Sequence, residues 1–459
     1  MSEHSQESDQ KLIEKYGQRA FMYTEYPNLR FWSKEMGDAG YRRVLAEFFI
    51  KNSAAPLMLY VHIPHCHTQC DFCTCHTVIT TDYSIVKRYL GFLLQEIEML
   101  HQFFEALAIS PNIREIHLGG GSPTYLKEED FDRLVEKLGS ITDIKKLDEF
   151  AIEIDPRRVK QEKVKYYHQK GINRISFGIQ DFNIEIQRAV GRVQPMGLTE
   201  RLLTPEIRAL FPNGINFDII CGLPRQTTET IHKTMEQVVA LSPDRICFNY
   251  LHFSPEFSPH QTRMIPYGIP DNAERKKNFT EALGVLAKTD FVRTGYDHFV
   301  KPNDPVAIAM KKGKMQWNRL GVTAGRYTDT LAVGAHGISS FGAAYAQNFY
   351  ENNLYETAIS EGKFPIFRGH RLSDDDIERR KIIHSLRNYF KVWFLEIGDP
   401  LYRDMPWSVF FKKEYQKLME FADDGVVDLS NPDYIRITEF GQQFADKVCE
   451  VFDTYKTRA

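Results

Sequence analysis

The amino-acid sequence predicts an α/β fold in which a parallel sheet curls into a TIM-like barrel or part of one. Short apolar runs of strand length alternate with amphipathic stretches of helix length between residues 57 and 250. The chemically distinctive motifs also follow predicted strands, and function in a barrel gathers at the carboxyl ends of its strands. Apart from the strand–helix alternation, the sequence contains no internal repeat.

Six strands are predicted from runs of apolar and β-branched residues: 57–63, 113–118, 150–154, 174–179, 215–220 and 245–250. Helices with leucine and isoleucine at positions i, i+3 and i+4 are predicted between them: 83–107, 128–138, 161–169 and 229–241. Asp82 is a suitable N-cap for the first helix, and Ser242 with Pro243 is expected to end the last one. Strands separated by helices favour parallel pairing.

The chain is predicted to have three parts: an N-terminal arm (1–51), the barrel with its extension (52–365), and a mainly helical C-terminal domain (366–459). In the last part, helices flank a short pair of strands, which is typical of a winged-helix-like domain. The formal net charge of -3 argues against broad attraction to nucleic acid. No apolar run approaches the ~20 residues needed to span a bilayer, and the polar start lacks a secretory signal. We therefore expect a cytoplasmic protein.

The loop after the first strand carries four of the seven cysteines, Cys66, Cys70, Cys73 and Cys75. The spacing C-x3-C-x2-C supplies three thiolates that can wrap one iron–sulfur cluster and leaves the fourth metal of a cubane without a protein ligand. A structural zinc site with Cys75 as the fourth ligand is the alternative. Zinc is less favoured, because one residue between Cys73 and Cys75 is tighter than the usual C-x2-C spacing and no second cysteine pair follows.

A glycine run, Gly119-Gly120-Gly121-Ser122, follows the second predicted strand. Glycines let the backbone approach a ligand closely, and we expect this run to expose its amides to a polar amino-acid tail. Alone, such a run is equally typical of an ordinary tight turn. Its place one strand after the cysteine loop makes a ligand-binding role the stronger interpretation.

These motifs resemble those of the radical S-adenosylmethionine enzymes, and specifically the oxygen-independent coproporphyrinogen III oxidase (coproporphyrinogen dehydrogenase) family. The resemblance rests on the YVHIP lead-in from Tyr60, the cysteine triad, Phe72 and the extra Cys75, and it extends over almost the whole chain. It implies a partial six-unit barrel and one 4Fe-4S cluster held by Cys66, Cys70 and Cys73 but not by Cys75. It also implies S-adenosylmethionine, as two molecules, cleaved to a 5'-deoxyadenosyl radical.

The resemblance assigns cofactor contacts but no certain catalytic residue. The implied contacts are Tyr60, Phe72, Gly120, Gly121, Ser122, Glu153, Gln180, Arg192, Asp218, Leu251 and Ile338. Glu153 is expected to hold a ribose diol, the glycine run the methionine amino group, and Gln180, Arg192 and Asp218 a second S-adenosylmethionine. Taken singly, each position also fits a structural role: a core apolar side chain, a strand-end carboxylate or a surface charge.

The sequence departs from the family pattern at positions expected to face the substrate. Met22 and Glu25 replace an arginine and a serine of the arm, Arg319 and Leu320 replace a phenylalanine and a glutamine, and Leu251 replaces an alanine. A methionine cannot pair with a propionate, whereas Arg319 could take over carboxylate binding. The cluster site itself keeps the family pattern.

The resemblance implies oxidative decarboxylation of coproporphyrinogen III to protoporphyrinogen IX in heme biosynthesis. Its expected partners are a tetrapyrrole substrate and a reducing protein such as flavodoxin or ferredoxin. Two alternatives remain open: a methyl or methylene transferase that uses two S-adenosylmethionine molecules on a different substrate, and a heme-binding chaperone without oxidase activity.

Overall fold

The computed structural model describes residues 11–12, 15–16, 23–325, 328–394 and 406–456. Met22, one of the departures from the family pattern, lies outside them. The chain divides into two compact units. The barrel unit consists of residues 33–291 and 326–370, and the terminal unit consists of residues 1–32, 292–325 and 371–459.

The strands are β1 (Pro56–Ile63), β2 (His65–Cys66), β3 (Val78–Ile79), β4 (Asn112–Gly120), β5 (Glu149–Ile154), β6 (Arg174–Gln180), β7 (Ile215–Cys221), β8 (Arg245–Tyr250), β9 (Val292–Thr294), β10 (His298–Val300), β11 (Gln316–Asn318), β12 (Gly321–Thr323), β13 (Asp329–Val333), β14 (Ile338–Phe341), β15 (Ala344–Asn348), β16 (Ile366–Arg371), β17 (Lys391–Trp393), β18 (Val427–Asp428) and β19 (Tyr434–Ile437).

The α-helices are α1 (Gly37–Lys51), α2 (Tyr83–Ala106), α3 (Glu128–Leu138), α4 (Gln161–Gln169), α5 (Ile184–Ala189), α6 (Met196–Glu200), α7 (Pro205–Ala209), α8 (Thr228–Leu241), α9 (Asn272–Leu286), α10 (Pro305–Lys311), α11 (Asn352–Ser360), α12 (Asp374–Tyr389), α13 (Trp407–Phe410), α14 (Lys412–Asp423) and α15 (Ala445–Glu450). Shorter 3-10 helices span Leu29–Phe31, Pro123–Tyr125, Ile144–Lys146, Pro259–Tyr267 and Phe440–Phe444. None of the described helices combines the length and the apolar character needed to cross a bilayer.

The barrel unit is built on one sheet in the order β16-β15-β14-β13-β1-β4-β5-β6-β7-β8. The strands from β13 to β8 in this order all pair in parallel. From β1 to β8 the spatial order follows the chain order, so the sheet is wound in one direction as in a barrel and not doubly wound. This is the predicted partial TIM-like barrel, and its carboxyl strand ends lie at one edge.

The predicted elements of the barrel unit are confirmed closely. The strand Arg245–Tyr250 and the helices Glu128–Leu138 and Gln161–Gln169 have the predicted bounds, and the other predicted elements differ by a few residues at most. The Asp82 side chain accepts a hydrogen bond from the backbone N–H of Ser84 and so caps α2. Ser242 ends α8 in a left-handed conformation.

The terminal unit has its own apolar core beneath an antiparallel sheet in the order β17-β19-β18. The predicted helix, strand pair and helix are present, with β17 as a third strand that the sequence did not indicate. Tyr23 and Tyr26 from the N-terminal segment are fully buried in this core, and the Tyr23 hydroxyl donates to Asp453 at 2.9 Å. The part of the N-terminal segment that contains Tyr23 and Tyr26 therefore belongs to the core of the terminal unit.

Candidate functional site

The cysteine loop leaves the carboxyl end of β1 and is closed at its base by the parallel pairing of β2 with β3. Cys70 is buried, Cys66 and Cys73 are half-buried, and Cys75 is exposed. The N–H of Cys73 donates to the Cys70 carbonyl at 3.1 Å, so the second and third cysteines lie on one tight turn. The thiols of Cys70 and Cys73 are also close enough to Cys66 to raise its pKa, so the three predicted ligands lie in one neighbourhood.

Two guanidinium groups face the sulfur of Cys70. Arg192 donates from Nη1 at 3.5 Å, and Arg157 donates from Nη2 at 3.6 Å. Asp155 holds both arginines, with Arg157 Nη2 at 2.7 Å and Arg192 Nη2 at 3.4 Å from its carboxylate oxygens. Burial alone would raise the pKa of Asp155, but Arg192 and Arg157 lower this pKa to about 2. Arg157 and Asp155 were not predicted as site residues, because nothing in their spacing relates them to Cys70.

These donors fit an iron–sulfur cluster. Three thiolates bring negative charge to the loop, and the two guanidinium groups offset it. Burial, with the neighbouring thiols, raises the pKa of Cys66 to about 12, so metal binding and not solvent would deprotonate this thiol. In the described part of the chain, no three His, Cys, Asp or Glu side chains are grouped closely enough to hold a single ion. A cluster would bind each of the three cysteines to a different iron.

Cys75 lies close enough to Cys73 to change its pKa. A hydrogen bond from the Cys75 thiol lowers the pKa of Cys73, because it stabilises the thiolate of its neighbour. This places Cys75 beside the ligand triad as a donor to one of its members. The expectation that Cys75 is not itself a ligand stays a prediction.

A segment after β8 supports the cysteine loop from behind. His260 Nε2 donates to the Cys73 carbonyl at 2.7 Å, and Gln261 Nε2 donates to the Phe72 carbonyl at 3.1 Å. Gln261 is 0% exposed, and its Oε1 accepts from the Ser254 N–H at 2.6 Å. The sequence did not indicate this support, since the segment has neither helical nor strand periodicity and lies far along the chain from the loop.

The glycine run continues the end of β4, with Gly120 paired to Ile63 of β1. A Cβ at Gly119 would lie 2.6 Å from the Glu153 carboxylate and 3.1 Å from the Tyr60 ring. The position therefore requires glycine because two predicted contact residues, Tyr60 and Glu153, converge over it. A Cβ at Gly121 would lie 2.5 Å from the Pro64 carbonyl, which excludes any side chain there too.

The expected exposed amides are not found at two positions of this run. The Gly121 N–H donates to the Ile63 carbonyl at 2.8 Å, and the Ser122 N–H donates to the His65 carbonyl at 2.9 Å. The prediction of free amides was wrong, because the close approach that the glycines permit is made to the end of β1. An amino group also needs acceptors and not N–H donors, so its binding does not depend on these amides.

A polar network joins Glu153 to the cysteine loop. Glu153 Oε1 lies 3.1 Å from His117 Nε2, and the His117 ring is stacked with the Tyr60 ring at 6.0 Å between centroids. The Tyr60 hydroxyl lies 3.1 Å from His62 Nδ1, and His62 Nε2 lies 3.1 Å from the His76 carbonyl. Burial lowers the pKa of His62 to about 4, so this imidazole is neutral near pH 7.

Gln180 and Arg192 meet over Gly178. A Cβ at Gly178 would lie 3.0 Å from Gln180 Nε2 and 3.1 Å from Arg192 Nη2. Gln180 has a φ of 69°, a left-handed conformation that is strained for a non-glycine residue, and the β6–β7 pairing is irregular there. On β7, Asp218 accepts hydrogen bonds from Ser176 Oγ at 3.1 Å and Asn216 Nδ2 at 2.9 Å.

Phe72 and Leu251 pack in one apolar cluster with buried residues Ile186, Val190, Leu223 and Met264. Ile338 lies elsewhere, on β14, which pairs with β13 through Ser340 and Thr330. β13 in turn pairs with β1, the strand that carries Tyr60. Ile338 therefore lies two strands away from Tyr60 in the sheet and is not part of the apolar cluster. The predicted contact residues therefore fall into separate groups: Tyr60 with Glu153, Gln180 with Arg192, and Phe72 with Leu251.

Comparison with known proteins relates this arrangement to characterised sequences. Residues 60–238 match the model of the Radical SAM superfamily. Oxygen-independent coproporphyrinogen III oxidase of Escherichia coli is 33% identical over 448 residues, covering 97% of this chain and 95% of the relative. The Pseudomonas aeruginosa protein of that name is 33% identical over 452 residues, covering 97% and 96%.

The fold is also that of a solved relative. The structure described as "Coproporphyrinogen III oxidase (HemN) from Escherichia coli is a Radical SAM enzyme" superposes with a TM-score of 0.88 at 32% identity, covering 97% of this chain and 98% of that one. Both the sequence likeness and the fold likeness thus extend over nearly the full length of each protein. The chain belongs to the oxygen-independent coproporphyrinogen III oxidase family of radical S-adenosylmethionine enzymes.

Proposed function

We propose that this protein catalyses the oxygen-independent oxidative decarboxylation of coproporphyrinogen III, converting two propionate side chains to vinyl groups to give protoporphyrinogen IX in heme biosynthesis. The observation that carries the proposal is the three-cysteine loop faced by Arg157 and Arg192, in a chain that resembles these oxidases along 97% of its length. Family membership supplies the cofactors, a 4Fe-4S cluster and S-adenosylmethionine.

The residues of the loop have separate tasks in this proposal. Cys66, Cys70 and Cys73 bind the cluster, and Arg157 and Arg192 stabilise the thiolate of Cys70. His260 and Gln261 hold the backbone of the loop in place through the carbonyls of Cys73 and Phe72. When bound, the cluster and S-adenosylmethionine would supply the 5'-deoxyadenosyl radical that abstracts one hydrogen atom from each reacting propionate. Loss of CO2 then leaves the vinyl group and passes one electron to an electron acceptor.

The neighbouring groups orient S-adenosylmethionine. We assign the ribose diol to Glu153, whose carboxylate is fixed by His117 and lies over Gly119 next to Tyr60. The backbone of Gly120, Gly121 and Ser122 would hold the methionine end, and Ile338 would contact the adenine. A carboxylate accepts two hydrogen bonds readily, which suits it to a diol.

A second S-adenosylmethionine is proposed next to Gln180, Arg192, Asp218, Phe72 and Leu251. The support comes from Arg192, whose Nε is buried and has no hydrogen-bond partner in the described residues. A buried donor without a partner is unfavourable by about 1–3 kcal/mol, and a ligand carboxylate would satisfy it. The strained backbone of Gln180 beside it is also typical of a ligand site.

We further propose a cytoplasmic location and a reducing protein partner such as flavodoxin or ferredoxin. A reducing compartment suits a partly exposed set of thiols, and the substrate reaction requires an electron for each radical formed. The electron donor would act on the cluster and not on the tetrapyrrole.

The test is anaerobic reconstitution of the full-length protein with iron and sulfide, followed by S-adenosylmethionine, reductant and coproporphyrinogen III. Mass spectrometry should detect the loss of two carboxyl groups together with 5'-deoxyadenosine. Cys70→Ala should abolish both products, whereas Cys221→Ala, at a buried cysteine outside the loop, should retain them. Cleavage of S-adenosylmethionine with coproporphyrinogen III left intact would disprove the proposed substrate, and S-adenosylhomocysteine would indicate group transfer instead.

A further inference from the structure

Two of the departures from the family pattern form an ion pair with each other. In the terminal unit, Arg319 donates from Nε to Glu25 Oε1 at 2.8 Å and from Nη2 to Oε2 at 2.6 Å. Such a two-point contact fixes the plane of the guanidinium. The Glu25 residue is 5% exposed, whereas the Arg319 side chain is 37% exposed. The acid is therefore buried, and the cation keeps an open edge.

The outer edge of Arg319 is available for a second anion. Among the described residues, Nη1 of Arg319 makes no hydrogen bond, because Glu25 engages only Nε and Nη2. Thr24 Oγ1 also donates to Glu25 Oε2 at 2.5 Å, so the carboxylate is held by three donors. A guanidinium that is oriented by one carboxylate and open on its other edge has the geometry of a carboxylate receptor.

A second polar atom lies at the same turn. Arg319 belongs to the turn of residues 318–321, in which Asn318 of β11 pairs with Gly321 of β12. A Cβ at Gly321 would lie 2.7 Å from His298 Nε2, and Gly321 has a φ of 99°, so glycine is required by both space and conformation. The imidazole edge of His298 therefore approaches this turn directly.

His298 is oriented by its neighbour. Nδ1 of His298 lies 2.6 Å from Asp297 Oδ1, and the residue is 7% exposed. Within the part of the chain that the structure describes, Nε2 has no hydrogen-bond partner. Asp297 fixes the ring so that Nε2 points away from it, and this atom can donate a hydrogen bond only when both ring nitrogens carry a proton.

We propose that the 318–321 turn carries a carboxylate-binding subsite, with Arg319 as the receptor and His298 as a second donor, which binds a propionate carboxylate of the tetrapyrrole substrate. The inference rests on the proposed function, since coproporphyrinogen III carries four such groups.

The other explanation of the ion pair is a purely structural clamp between residues 25 and 319. The two explanations differ in what they predict for Glu25. If the ion pair is only a structural clamp, replacing Glu25 and replacing Arg319 should have the same effect on ligand binding. If Arg319 is a carboxylate receptor, neutralising Glu25 removes a competing negative charge and leaves the guanidinium of Arg319 free for the ligand.

The test is a fluorescence titration of the full-length protein with coproporphyrin III, the air-stable oxidised form that retains the four carboxylates, and with its tetramethyl ester. We expect Arg319→Gln to weaken binding of the acid by roughly 10-fold or more, the loss of one charge-assisted hydrogen bond, with no effect on the ester. Glu25→Gln should retain or strengthen binding of the acid. His298→Ala should weaken it less than Arg319→Gln, and Arg319→Lys should be intermediate.

Arg436→Gln is the matched control, because Arg436 is also an exposed arginine of the terminal unit that pairs with an aspartate, Asp428. It should leave the Kd of coproporphyrin III unchanged. Thermal unfolding of each variant checks that the comparison is between folded proteins. An unchanged Kd for Arg319→Gln, or an equal loss of binding in Glu25→Gln and Arg319→Gln, would overturn the inference.

Turnover separates this inference from the proposed function. If the wild-type protein decarboxylates coproporphyrinogen III, Arg319→Gln should raise KM with a smaller change in kcat, and an unchanged KM would reject the subsite alone. If the wild-type protein cleaves S-adenosylmethionine but yields no decarboxylated product, the proposed function fails. The subsite is then judged on the Kd of the porphyrin acid against its ester.

Discussion

The guanidinium of Arg192 donates from Nη1 to the Cys70 sulfur at 3.5 Å, although the two residues are 122 positions apart. The same side chain donates from Nη2 to the Gly178 carbonyl at 2.8 Å, at the end of β6. Arg192 thus links the cysteine loop to the neighbourhood of Gln180. A ligand bound beside Gln180 would share this cation with the cluster.

Arg192→Gln is expected to weaken the cluster site and lower its reduction potential. The variant removes a positive charge and a donor from Cys70, and changes of this kind around metal ligands typically reduce metal affinity or activity by about 10–100-fold. A lower potential follows because hydrogen bonds to the sulfur stabilise the reduced cluster. Iron per chain and a spectroscopic redox titration measure both effects. Arg201→Gln, at an exposed arginine, is the control, and equal potentials in the two variants would contradict the assignment.

Gln261→Leu is expected to loosen the cysteine loop. The substitution removes the hydrogen bonds that Gln261 makes to the carbonyls of Phe72 and His252 and to the N–H of Ser254. Each of these groups that is left buried without a partner should destabilise the folded protein by about 1–3 kcal/mol. The free energy of unfolding from urea titration should fall, and iron retention after reconstitution should fall with it. Gln102→Leu replaces an exposed glutamine that bonds Glu98, and it should change neither quantity. Full iron retention in Gln261→Leu would reject the supporting role.

Cys75→Ala is expected to leave the iron content of the reconstituted protein unchanged. Cys75 is the exposed cysteine of the four, whereas Cys70→Ala removes a predicted ligand and should release iron. Iron and sulfide analysis of the two variants, prepared side by side, measures the difference. Loss of iron from Cys75→Ala equal to that from Cys70→Ala would make Cys75 a ligand.

Glu96 on α2 is expected to make stability depend on pH. Its carboxylate is buried and accepts hydrogen bonds from the Gly334 N–H, the Asn348 side chain and the Tyr355 hydroxyl, so it anchors the loop that follows β13. Burial raises the pKa of Glu96 from 4.5 to about 7. A raised carboxyl pKa means that the folded state binds the proton more tightly than the unfolded state, so stability falls as pH rises from about 4.5 to about 7.

The effect on the free energy of unfolding is of the order of 3 kcal/mol, because burial raises the pKa of this carboxyl from 4.5 to about 7. Glu96→Gln keeps the shape of the side chain without the charge and should not show this decline. The difference in unfolding free energy between wild type and Glu96→Gln, measured by urea titration from pH 5 to pH 8, isolates Glu96 from other groups that titrate there, such as Asp181. A difference that is constant with pH would contradict the prediction.

Local signals in the sequence were sufficient for most of the barrel. The strands β1 and β4 to β8, the cap at Asp82 and the glycine run all follow from residues that lie close together in the chain, where periodicity and turn chemistry act. The role of the glycines was predicted less well. Their spacing indicates close approach, but only the neighbouring strand decides what approaches, and here the amides of Gly121 and Ser122 bond the end of β1.

By itself, the sequence predicted the parallel β/α alternation of a partial barrel and the candidate ligands Cys66, Cys70 and Cys73, and it identified the family. Only the tertiary structure decided which distant side chains complete these features: Arg157 and Arg192 at Cys70, Gln261 behind Phe72, and Glu25 against Arg319. The physical reason is the separation along the chain of the residues that interact. Secondary structure depends on neighbours a few residues away, whereas an ion pair between residues 294 positions apart depends on how whole elements pack, which no local pattern encodes.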